Sequence, residues 1–254
     1  MKRTLLYLLC FSFSIPAMKV AAQDDESILA GKSIIKLNLS SAVLNHYAMQ
    51  YEYVVNRNQS FALGVGVSPK VGLPFKKTLM DKFGDNDDAR TAIESTLFTK
   101  VTITPEYRFY FGKGGAPTGF YLAPFARYTN MTLEQDYQFT PSSGRLHTAN
   151  LKGKFTGIGG GVAMGAQWAL SSKLTLDWWI VGPFVGKMKA DFHAVDDMSD
   201  MSAQDKADLE GDIEGVDIPL WKIDATVGEN TIDTKLNGPF YGVRAFGLSL
   251  GFRF

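Results

Sequence analysis

Few residues of this chain combine the type and spacing that chemistry requires. Gly247-Leu248-Ser249-Leu250-Gly251 satisfies the G-x-S-x-G pattern of serine hydrolases. That pattern works where a sharp strand-to-helix turn lifts the serine out of the fold. Here it sits inside unbroken strand alternation, so Ser249 reads as an inward side chain between two glycines. Gly31-Lys32-Ser33 ends like a phosphate-binding loop, but Glu26 stands where the first glycine is required and no strand precedes it. Gly157, Gly159, Gly160, Gly161 and Gly165 lack the strand–turn–helix setting of a dinucleotide fingerprint, and read as spacers that leave room for long neighbours. The three histidines, His46, His147 and His193, fall in no metal-protease spacing. A Ser–His pair with a third, orienting residue cannot be assembled from these positions. The chain is therefore read as a non-enzyme, with no catalytic residue, cofactor or metal ligand assigned.

Charge clusters are the second kind of candidate. Asp191 to Asp217 holds ten acids against one base, Lys206. Hard cations take carboxylate oxygens, but no EF-hand spacing is present, and a solvated helix face is the expectation. Ser202 with Asp205 three residues on is a capping box opening a helix through about Glu210. Lys70, Lys76, Lys77 and Lys82 form a basic stretch suited to lipopolysaccharide phosphates, and Asp88–Leu97 beyond them reads as another short helix.

The elements that must position these residues are strands. Apolar–polar alternation with a period of two runs through the chain. Phe246, Leu248, Leu250, Phe252 and Phe254 oppose Gly247, Ser249, Gly251 and Arg253. Eight such runs stand out: Ser33–Val43, His46–Asn56, Ser60–Ser68, Thr99–Gly112, Gly119–Asp136, Leu151–Ala169, Lys173–Gly186 and Phe240–Phe254. Most exceed the ~5–6 residues usual in soluble proteins. The connections alternate between tight turns (56–59, 112–118, 170–172) and long excursions (69–98, 137–150, 187–239), with a short first hairpin at Leu44-Asn45. Ile218–Val227 and Thr231–Leu236 read as an extra hairpin above the membrane.

An export signal precedes the strands. Met1-Lys2-Arg3, the apolar run Leu5–Met18 and Val20-Ala21-Ala22 follow its grammar. The run falls short of the ~20 residues that span a bilayer as a helix. Residues 1–22 are thus expected to be removed, 23–32 to form a short periplasmic segment, and 33–254 to form the single domain. Beyond residue 22 the chain carries three more acidic than basic side chains, giving no basic footprint for nucleic acid. The single cysteine, Cys10, lies in the signal and excludes a disulfide framework.

Short turns at one end, long loops at the other and an even strand count describe an all-β, eight-stranded antiparallel transmembrane β-barrel, an up-and-down meander with short helices and a hairpin in its extracellular loops. Tyr51, Tyr53, Phe61, Phe109, Phe111, Phe120, Trp168, Phe252 and Phe254 would form the aromatic girdle at the short-turn end. Lys36, Glu52, Glu106, Arg108, Arg127, Asp177 and Arg253 fall on inward faces, as an interior polar network. Pairing the first two strands about residue numbers summing to 88 sets Lys36 opposite Glu52.

Ile35-Lys36-Leu37-Asn38-Leu39, Gln50-Tyr51-Glu52-Tyr53, Ser60-Phe61-Ala62-Leu63-Gly64, Asp217-Ile218-Pro219-Leu220, Gly238–Arg244 and Gly247–Phe254 together resemble the small outer-membrane β-barrels of Bacteroidetes-type bacteria, a family of unknown function. The resemblance implies residence in the cell outer membrane. It also implies contact with membrane lipid and with the barrel-assembly machinery, for which Phe252 and Phe254 would be the recognition signal. It implies no catalytic residues. The function expected is a structural or surface-interaction platform with a plugged lumen; the alternatives are a narrow pore for small solutes and, third, a lipid-modifying enzyme.

Overall fold

A computed structural model describes residues 31–84, 87–141, 144–216 and 218–254. The expected signal at 1–22, most of the 23–32 segment and Asp217 lie outside them. Among the described residues nine strands are formed: β1 (Ser33–Asn38), β2 (Tyr47–Asn56), β3 (Gln59–Gly72), β4 (Leu97–Phe111), β5 (Gly119–Phe139), β6 (His147–Ala169), β7 (Leu174–Val195), β8 (Lys222–Val227) and β9 (Thr231–Arg253). Four helices join them: α1 (Leu39–Ala42), α2 (Lys76–Phe83), α3 (Asp87–Ser95) and α4 (Ala203–Glu214). All pairings are antiparallel and follow chain order from β1 to β7. β9 then pairs with β7 on one side and with β1 on the other, so eight strands close into a ring while β8 stays outside it. Among the described residues no helix is long and apolar enough to cross a membrane.

Alternation sorts the side chains across this ring as the sequence predicts. All nine girdle aromatics are exposed on the outside, whereas Lys36, Glu52, Ser60, Arg108, Gln167, Thr175 and Asp177 are fully buried within it. This is the reverse of a soluble sheet, where the apolar face is the one removed from water.

Four expectations are corrected. The first strand ends at Asn38 rather than Val43, because the Asn38 side chain accepts from the Ser41 amide at 2.8 Å and starts α1. Asn and Ser side chains offer the backbone such local bonds in competition with a ladder. The register of β1 on β2 sets Lys36 opposite Gln50 and Ile34 opposite Glu52, two residues away from the expected pairing, which preserves the face of every side chain. The strands run on into the long excursions: β5 reaches Phe139, β6 begins at His147, β7 reaches Val195 and β9 begins at Thr231. Consequently the expected second hairpin arm and the last strand are one element of 23 residues. Its break signal, Gly238-Pro239, falls where β9 leaves β8 and becomes an edge, the position where a sheet tolerates proline.

The extra strand length carries its own core. Above the ring, Ala149, Ala194, Met198, Met201 and Ile232 are buried together, with Leu209 and Ile213 of α4 packed on them. Helix α4 starts at the predicted capping box, with Ser202 and Asp205 each bonding the other's backbone amide. It also covers the outer edge of β8, where Glu214 Oε1 accepts from the Ala225 amide at 2.9 Å and Glu210 Oε2 from the Val227 amide at 3.1 Å.

A second edge is not covered by any strand. β9 pairs with β8 up to Asn237 and with β1 from Ser249 onward. Between these, Gly238–Leu248 has β7 on one side only. The short first hairpin leaves the wall low here, with α1 packed against β9 and Ser40 Oγ accepting from the Leu248 amide at 3.1 Å.

Candidate functional site

The inward side chains of β1, β2, β4 and β7 meet near the short-turn end in one cluster. Lys36 Nζ lies 2.5 Å from Glu52 Oε2 and 2.6 Å from Asp177 Oδ2. Arg108 contacts Asp177 Oδ2 at 2.7 Å and Glu106 Oε1 at 2.9 Å, and Arg244 reaches Glu106 Oε2 at 3.4 Å. Three cations thus balance three carboxylates.

Neutral side chains add to the bonding, while Arg108 Nε and Gln167 Nε2 stay without a partner among the described residues. Lys36 donates to Gln167 Oε1 at 2.7 Å and Arg108 to Gln50 Oε1 at 2.9 Å, while the Gln50 amide donates to Glu106. Glu52 Oε1 accepts from Ser60 at 2.5 Å and from Tyr110 at 2.6 Å. Asp177 Oδ1 accepts from the Tyr121 hydroxyl at 2.7 Å, and the Arg108 guanidinium lies 4.4 Å from the Tyr121 ring centre. Buried ions are costly alone, and opposite charges with satisfied hydrogen bonds offset that cost. From Tyr110 and Tyr121 beside the short turn, an apolar cluster continues through Ala123, Phe125 and Ala163, with Trp179 and Phe184 against it, and fills one side of the lumen.

Five of the seven expected network residues are brought together: Lys36, Glu52, Glu106, Arg108 and Asp177. Arg127 is inward but stands apart, its guanidinium 5.9 Å from the Phe184 ring. Arg253 is inward at the short-turn end, its Nε donating to the Gly31 carbonyl at 2.5 Å. Sequence reasoning left out Gln50, Ser60, Tyr110, Tyr121, Gln167 and Arg244. Gln50 and Tyr110 lie on faces already read as inward. The place of Tyr121 depends on a glycine: a Cβ on Gly165 would come within 2.4 Å of the Tyr121 ring, so that glycine is what lets Tyr121 reach Asp177.

The outer candidates are dispersed. His147 Nδ1 is 2.8 Å from Asp196 Oδ2 and its Nε2 is 3.3 Å from Asp200, whereas His193 pairs with Asp233 at 2.7 Å. These are separate His–Asp contacts rather than one two-histidine site. His46 Nδ1 lies 3.0 Å from Ser68 Oγ at the mouth of the lumen. The acidic stretch divides its carboxylates among capping, the β8 edge and His147. Among the described residues no group of three or more His, Cys, Asp or Glu is placed to hold a metal. Of the basic stretch, Lys70 pairs with Glu134 and Lys76 donates to the Glu94 carbonyl at 2.8 Å, while Lys77 and Lys82 are exposed on α2. Ser249 is buried in the β1–β9 ladder, with no helix after it.

A family model described as "Protein of unknown function (DUF3575)" matches residues 6–214, and the chain belongs to that family. No curated protein matches the chain.

Proposed function

We propose that the protein is a transmembrane β-barrel of the outer membrane that serves as a rigid platform with a plugged lumen and presents its long-loop end to surface partners. The observation that carries this reading is the inversion of the ring, with an apolar and aromatic exterior around a polar interior whose central cluster is buried and charge-balanced. Strands of ~9–11 residues suffice to cross a bilayer. Lengths of 21 to 23 residues in β5, β6, β7 and β9 leave the remainder to project beyond it. A ring of about eight strands has an interior that side chains fill, which favours a plug over a pore. Partners on this reading are membrane lipid, lipopolysaccharide phosphates at Lys77 and Lys82, and the barrel-assembly machinery. Recognition falls to the loops, where binding surfaces commonly sit on rigid scaffolds.

Conductance of the purified protein in a planar bilayer tests the reading. No sustained current is expected, together with a heat-modifiable band in the outer-membrane fraction. Sustained ionic current would put a narrow pore in its place, and recovery of the protein in the soluble fraction would remove the membrane assignment altogether.

A further inference from the structure

Above the charge cluster the lumen opens into a cavity of about 520 Å³, within the size range of small-molecule sites. Glycines at inward positions of β3 and β9 help to make room for it. A Cβ on Gly64 would meet nothing closer than 3.6 Å, and Gly66 and Gly247 line the same space. Its inner wall carries His46, Gln50, Thr102, Arg127, Trp179 and Arg244. The cavity is not confined to the lumen. Val43, Leu44, Val243 and Phe246 also line it, and these four side chains are exposed. They frame the stretch Gly238–Leu248, where β9 has no neighbour on the β1 side, so the space runs sideways through the wall. Val43 is 81% exposed and Phe246 73%, a degree of apolar exposure that the outward residues of the paired ladder do not reach.

The electrostatics of this cavity are one-sided. Arg244 is matched by Glu106 within the balanced cluster. Arg127 lines the cavity, and Lys100 stands one inward position beyond Thr102 on β4. Among the described residues neither has a carboxylate within ion-pair distance. The Trp179 indole N–H, buried at the cavity wall, has no hydrogen-bond partner either, whereas buried polar groups are ordinarily paired. A surplus cation and an unpaired donor on the cavity wall, a second cation one inward position beyond, and an apolar window outside are complementary to a molecule having an acidic head and a hydrocarbon tail.

We propose that this cavity binds an anionic amphiphile, its acidic headgroup at Arg127 and Lys100 and its single acyl chain leaving through the window between α1 and β9. The tail meeting the outer leaflet rests on the membrane reading above. Headgroup binding does not, and it is measured on protein in a non-ionic detergent without reference to conductance.

The experiment uses the full chain and a brominated long-chain fatty acid as quencher of tryptophan fluorescence. Saturable quenching is expected, removed by Trp179→Phe and weakened at least tenfold in affinity by the double variant Arg127→Gln/Lys100→Gln. The methyl ester of the same acid should bind at least tenfold more weakly than the acid, and acetate should not compete. A lysophosphatidate of equal chain length, tested as competitor, tells a carboxylate headgroup from a phosphate one, and competition by either acid supports the site. Gly64→Leu, which fills the cavity without touching a charge, should abolish quenching while leaving the heat-modifiable band in place. Equal affinity for acid and ester, full competition by acetate, or unchanged binding in both the double variant and Gly64→Leu would each overturn the proposal.

Discussion

Lys36 is held between Glu52 and Asp177, both fully buried, so removing its charge leaves two carboxylates to a single neighbouring guanidinium. Breaking a buried ion pair from one side costs about 3–5 kcal/mol. Lys36→Met is accordingly expected to lower the unfolding free energy by that order. Asp177→Asn combined with Lys36→Met should lose clearly less than the sum of the two single losses. Additive losses in that double-mutant cycle would show that the two groups do not interact. Gly165→Ala is a subtler case, since the new methyl would displace the Tyr121 ring and with it the hydroxyl that donates to Asp177. A drop of about 1–3 kcal/mol is expected, the range for leaving a buried acceptor unpaired. Tyr121→Phe should account for most of it; a variant as stable as the wild type would mean the ring has room to move.

At the scale of elements, β8 and the seam are the informative pieces. β8 is an edge strand whose outer amides are occupied by Glu210 and Glu214 of α4, one way of blunting an edge that would otherwise invite another strand. Replacing both glutamates by alanine should speed hydrogen exchange at Ala225 and Val227 by roughly five- to tenfold, corresponding to about 1 kcal/mol per bond. Unchanged protection would assign the cover to packing alone. Shortening β9 by Phe252–Phe254 removes the pairs to Ile34 and Ile35 and that of Phe252 with Leu174. Less heat-modifiable protein in the outer membrane is expected; a normal yield would make those pairs dispensable. Alternation made the ring strands legible because a period-two pattern survives any register, and the α4 cap was legible because its signal is local. The strand extensions were not. Asp191, His193 and Asp233 look like loop residues, and they join the β7–β9 ladder because Ala194 and Ile232 beside them bury against Met198 and Met201. The register of β1 was missed by two residues for a related reason: Asn38 leaves the strand to cap α1, which shortens the arm from which the turn would be counted. Of the interior site, face assignment yielded the charged members, whereas Gln167 and Tyr121 depend on distances between strands far apart in sequence.

For the molecule as a whole, the short turns lie at one end and the segments carrying α2, α3 and α4 at the other. With the platform oriented as proposed, protease added to intact cells should cut between α4 and β8, at Gly215–Trp221, and spare Gly112–Thr118. Cleavage at the short turns in sealed cells would invert the orientation. The balanced cluster near the short turns and the surplus cations above it divide the interior into a structural half and a receptive half. Variants of Lys36 and variants of Arg127 should therefore separate cleanly, the first moving stability and the second moving ligand affinity.

The meander also sets an order of events. From β2 to β7 each ring strand pairs with its neighbours in the chain, so those ladders can form by successive hairpin closure. The joint between β1 and β9 instead waits until β9 has been made, and it is narrow, running from Ile34 to Asn38 against a β7–β9 ladder that runs from Leu174 to Val195. Contacts so distant in sequence are slow to form because the intervening chain must be ordered first. An open sheet with two unsatisfied edges is then the last species before closure, and unpaired edges of that kind are where chains join one another wrongly. The lifetime of that open sheet, more than the stability of the finished ring, would govern how much of this protein reaches its native form.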